Sequence, residues 1–82
     1  MEQKIKQDIP IGMNIREIRK QRGIKQTDLV SLLQLEGISM TREALVKIER
    51  GAQHIQASQL RAIRDALRTT YDELLKPCRV SQ

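Results

Sequence analysis

The segment from Gly23 to Gly51 constrains this chain more than any other: G-I-K-Q-T-D-L-V-S-L-L-Q-L-E-G-I-S-M-T-R-E-A-L-V-K-I-E-R-G. Apolar residues recur there at three- and four-residue intervals, the spacing of one helical face. Two short amphipathic helices follow, Gln26–Leu35 and Arg42–Arg50, divided by the turn Gly37-Ile38-Ser39-Met40. Basic and amide side chains open the second segment, while Leu29, Leu32 and Leu33 of the first and Ala44, Leu45 and Ile48 of the second face inward. Thr41 is placed to cap the second helix, because its hydroxyl oxygen accepts from a free N–H of the first turn.

The flanks carry the same helical signature. Ile11, Ile15 and Ile18 form one stripe of a helix over Met13–Arg22, with Asn14 near its start and Gly23 as a left-handed stop. After a polar loop, Ala52–Gln56, a fourth helix begins at Ala57 or Ser58 and runs to Arg68, burying Leu60, Ile63, Ala66 and Leu67. Thr69 or Thr70 caps a last short helix, Tyr71–Leu75, with Leu74 inward, and Pro77 blocks its continuation. Phe and Trp are absent and Tyr71 is the only aromatic, so aliphatic helix-on-helix packing must supply the core. Strand formers are equally scarce. The expected architecture is all-α, a compact five-helix domain over residues 11–76, with an arm at 1–10 and a tail at 77–82. At 82 residues one small domain is allowed, and dimerisation is a natural supplement to its modest core.

Fifteen Lys and Arg against ten Asp and Glu leave a net charge of +5, which suits an anionic partner: nucleic acid, a membrane surface or an acidic protein. Charge alone favours nucleic acid over a merely solvated charged face, and the motif has to settle the matter. The single cysteine, Cys78, excludes an internal disulfide framework and fits a reducing cytoplasm. No apolar run approaches the roughly 20 residues of a membrane span, and Met1–Pro10 is too polar for a signal peptide. One His and scattered carboxylates offer no nucleophile–base pair and no metal-ligand cluster, so neither an enzyme nor a metal or cofactor site is expected. His54 reads as a surface histidine. RNA and single-strand binding rely on aromatic stacking platforms that the chain lacks.

With these elements in order, the chain resembles the helix-turn-helix regulators related to phage Cro and lambda-type repressors, the XRE family. The resemblance rests on Ile18-Arg19 and Gly23, on Gln26 and Leu29, on Ser39–Thr41, and on Leu45, Ile48, Glu49 and Gly51. Leu60, Ile63, Ala66, Leu67, Tyr71, Glu73 and Leu74 continue it, so that it covers Ile11–Leu75. Three departures stand out. Lys25 replaces the usual capping residue before Gln26, Val30 occupies a site usually held by Ala, and the turn Gln34–Met40 is longer than is common.

The resemblance implies a major-groove reader of a double-stranded DNA operator. It assigns base contacts to Thr41, Arg42, Glu43 and Lys47, since Arg or Lys matches the guanine O6/N7 pair and Glu accepts from cytosine N4. It assigns phosphate contacts to Gln26, Arg50, Gln53 and His54; Arg16, Lys20 and Lys25 are weaker candidates. Arg19 and Glu49 are expected to pair structurally, holding the reading helix to the first helix. A solvated charged face is the alternative for Arg42, Glu43 and Lys47. Tyr71, Leu74 and Leu75 are the expected homodimer contacts, with ordinary core the preferred reading of Leu74. The expected function is a cytoplasmic sequence-specific transcriptional regulator, a repressor. The alternative is the antitoxin of a toxin–antitoxin pair, which binds a toxin protein as well as its own promoter.

Overall fold

Pro10 sets the first helix in motion. The computed structural model describes residues 9–77. Within them five helices follow one another: α1 Ile11–Gln21, α2 Gln26–Leu35, α3 Arg42–Glu49, α4 Ala57–Leu67 and α5 Tyr71–Leu74. No strand occurs among the described residues. Apart from the junctions at Ile9, Pro10 and Pro77, the expected arm and tail, and Cys78, lie outside the described residues.

The start of α1 corrects the expected one by two residues. The helix begins directly after Pro10, whose carbonyl accepts from the Asn14 N–H at 2.9 Å, so Asn14 lies inside the first turn. The other expected boundaries hold to within a residue. The first three helices share one stop. At the end of α1, Gly23 takes φ +70°, its N–H donates to the Lys20 carbonyl, and the Ile24 N–H reaches back to Arg19. That is a Schellman closure, and it satisfies carbonyls a helix end otherwise strands. Helix α4 closes in the same pattern with Arg68, not glycine, at φ 53°. Thr41 Oγ1 accepts from the Ala44 N–H at 3.1 Å and Thr70 Oγ1 from Glu73 at 3.1 Å, so both short helices are capped by side chains.

The core is aliphatic: Ile15, Ile18, Leu29, Val30, Leu33, Met40, Leu45, Ile48, Ala62, Ile63, Leu67 and Leu74. Helix α2 packs on α3 and α4, while α1 packs on α3, α4 and α5. The expected inner face of α2 needs correction at one position. Leu32 is 37 % exposed, and Val30, at 8 %, is buried beside Leu29 and Leu33. Helices α3 and α4 cover the arc that carries Val30, and it leaves Leu32 at the edge. Leu74 is fully buried, 0 % exposed, which removes it from any surface that a second chain could touch. For Leu74 the preferred reading, core, therefore holds, and its alternative place among the dimer contacts is corrected; Tyr71 and Leu75 remain exposed.

The long turn between α2 and α3 is pinned at several points. Gly37 reverses the chain at φ +85°, Ile38 packs against the core, and Met40 is buried. Gln34 Nε2 also donates to the Met40 carbonyl at 3.4 Å. Extra length here does not loosen α3, because its apolar residues are drawn into the core on both sides of Ser39.

Candidate nucleic-acid interface

What positions α3 is a buried polar cluster. Arg19 of α1 grips Glu49 with a two-pronged contact, Nε to Oε2 at 2.8 Å and Nη2 to Oε1 at 3.0 Å. A third guanidinium N–H donates to the Ile24 carbonyl at 2.9 Å, and Gln26 Nε2 donates to Glu49 Oε1 at 3.0 Å. Arg19 is 7 % exposed and Glu49 6 %. Planar two-pronged geometry of this kind makes the strongest protein ion pairs, and burial makes either partner costly to leave alone. One cluster thus ties together α1, the first residue of α2, and the last residue of α3. Gln26 belongs to it by one amide N–H; the second remains available, since the amide carries two donors.

Helix α1 reaches α3 just as closely through its backbone. A Cβ built on Gly12 would sit 1.9 Å from the Ile48 carbonyl oxygen, so only glycine allows this crossing. The sequence holds a signal for it only once α1 starts at Ile11, which brings Gly12 inside the helix. Glycine inside a helix costs about 1 kcal/mol relative to alanine, and a position that keeps it asks for a packing reason.

The outer face of α3 stands clear of this scaffold. Thr41, Arg42, Glu43, Lys47 and Arg50 are exposed, as are Gln53 and His54 in the following loop. Arg42, Glu43, Val46, Lys47 and Arg50 line one shallow depression of about 290 Å³. Three cations and one carboxylate therefore share a single face, and Thr41 flanks it with its oxygen engaged in the cap and its O–H still a donor. Arg50, the residue that follows α3, lines the same depression and so stands beside the side chains expected to read bases.

Three side chains have roles that were not expected from the sequence. Asn14 Nδ2 donates to the carbonyls of Leu74 and Lys76, both at 2.9 Å, and so closes the end of α5 from α1. Arg22 does the same for α4, donating to Leu67 and Arg68 at 3.0 and 3.3 Å. Arg64 lays its guanidinium 4.6 Å from the centre of the Tyr71 ring. Among the described residues no group of His, Cys, Asp and Glu is arranged to hold a metal, and no helix is long and apolar enough to cross a membrane.

Five short helices, a glycine-stopped turn and a cationic helix held outward define a helix-turn-helix protein. A helix-turn-helix family model matches residues 15–74, the greater part of the chain. The chain belongs to that family, the Cro- and lambda-repressor-type regulators of the XRE group, and is a DNA-binding helix-turn-helix transcription regulator. No curated protein and no solved structure gives a significant match.

Proposed function

We propose that the protein is a sequence-specific repressor that binds a two-fold symmetric operator as a homodimer, each copy laying α3 in the major groove. The observation that supports this most is the pairing of a rigid mount with a cationic outer face. The Arg19–Glu49–Gln26 cluster fixes α3, and Arg42, Glu43, Lys47 and Arg50 face away from it. In this reading Arg42 and Lys47 donate to guanine O6 and N7, and Glu43 accepts from cytosine N4. Thr41 donates its hydroxyl proton at the edge of the same site. Gln26, Arg50, Gln53 and His54 hold phosphates, which sets register without conveying sequence. The free amide N–H of Gln26 is assisted by the backbone N–H groups at the start of α2, where anions are favoured.

One α3 addresses only a few base pairs, so two half-sites about one helical turn apart are required. The second copy docks through Tyr71 and Leu75, each 37 % exposed, and Arg64 braces the Tyr71 ring. Repression follows from occupying the operator.

The test is selection of bound sites from a random double-stranded pool, followed by gel shifts across a salt series. The expected result is an enriched sequence with two-fold symmetry, whose affinity falls steeply with salt as counterions are released. Lys47→Ala should weaken binding to that sequence at an unchanged melting temperature. A pool that emerges unenriched overturns the proposal.

A further inference from the structure

Among the long polar side chains on the outer face of α3 stands one apolar residue. Val46 lies one turn after Arg42 and one turn before Arg50, about 40° round the helix from Arg42 at the usual 100° per residue. Of the buried residues, Ile48 lies nearly opposite, while Leu45 and Glu49 fall about 100° and 60° from Val46 at the same spacing, so Val46 stands where the outer face meets the buried arc. Val46 is half-buried, yet it belongs neither to the buried core nor to the apolar residues packed against it. It lines one shallow depression together with Arg42, Glu43, Lys47 and Arg50.

An isopropyl group offers nothing to phosphate oxygens or to the nitrogen and oxygen atoms of base edges. The major groove displays one apolar group, the 5-methyl of thymine, and aliphatic side chains pack against it. From its position between Arg42, Glu43 and Lys47, we propose that Val46 is a further specificity-determining residue, which selects thymine by packing on its methyl group. The inference rests on the base-reading role of α3 proposed above. Flanking donors then address the neighbouring bases, and the depression sheds water from the methyl when the helix docks.

The test begins from the sequence that the wild-type protein selects. Each thymine in it is replaced singly by deoxyuridine, which preserves pairing and removes only the methyl. For the wild type, one thymine per half-site should raise Kd about fourfold on replacement, the factor matching about 0.8 kcal/mol for one methyl taken out of water. Val46→Ala should bind the thymine and deoxyuridine sites alike, and Val46→Ile should keep the discrimination. Melting temperatures confirm that both variants fold, and the Ile variant carries the test independently of the Ala variant. Equal loss for wild type and Val46→Ala, or indifference of the wild type to every replacement, overturns the inference while leaving the base-reading proposal standing. Failure to select any sequence overturns both.

Discussion

Glu49 illustrates how a single residue serves stability and function through the same contacts. Its two oxygens take three donors from Arg19 and Gln26, and almost no water reaches them. Removing one partner of a buried pair leaves the other charge unsatisfied, at about 3–5 kcal/mol. Glu49→Ala should therefore lower the melting temperature strongly and weaken operator binding with it. Thermal unfolding checks the first, and a wild-type-like midpoint would remove the structural role assigned to the pair. Arg19→Ala in a double-mutant cycle with Glu49→Ala should show strong coupling, because both lose the same contact. Lys47 makes the contrast: it is exposed, makes no contact with that cluster, and carries only binding.

At the scale of elements, α3 is set by three things: its cap, its crossing with α1, and the pinned turn that leads into it. Thr41→Ala removes the oxygen that accepts from Ala44 and should cost about 1 kcal/mol, read as a reduced denaturant midpoint at unchanged slope. Gly12→Ala is the more severe change. Its new methyl would collide with the Ile48 backbone, which has no flexible end to yield, so α1 and α3 must part. Overpacking of this kind costs typically about 1–3 kcal/mol, and loss of operator affinity should exceed what the lost stability alone explains. A Gly12→Ala protein with wild-type melting and binding would show that the two helices do not need this distance.

For the whole molecule, a core of twelve buried aliphatic residues among those described leaves little stability to spare. Adjacent residues at the end of α5 then have opposite consequences. Leu74 is core, so Leu74→Ala should cost about 2–5 kcal/mol and lower the melting temperature. Leu75 is exposed, so Leu75→Glu should leave the monomer folded but place a charge where the proposed dimer closes. Analytical ultracentrifugation checks it: the variant should sediment as a monomer and lose affinity for the paired half-sites. A Leu75→Glu protein that still dimerises would move the interface elsewhere. The net charge of +5 adds a salt-dependent attraction to DNA that Thr41→Ala, Gly12→Ala and Leu74→Ala leave unaltered, whereas Arg19→Ala, Lys47→Ala and Leu75→Glu each weaken it by one charge and Glu49→Ala strengthens it by one.

The chain's local physics was legible from its residues. Apolar spacing and caps located the helices, with Thr41 named as one cap and Thr69 or Thr70 as another, and Gly23 and Gly51 marked stops, because each depends on neighbours within a turn or two. The family pattern paired Arg19 with Glu49. Tertiary structure decided what depends on residues distant in sequence. Gly12 matters only because Ile48 lies against it, and Asn14 leaves its expected place at the helix start to hold the carbonyls of Leu74 and Lys76. Leu32, expected inward, lies at the edge because the neighbours of α2 cover one arc of it and not the next. Gln26 turns one amide proton inward because folding brings Glu49 beside it. Helical periodicity tells which residues can share a face, but the packed neighbours choose which face is covered, and here that choice also left Val46 among the charges on the outside of α3.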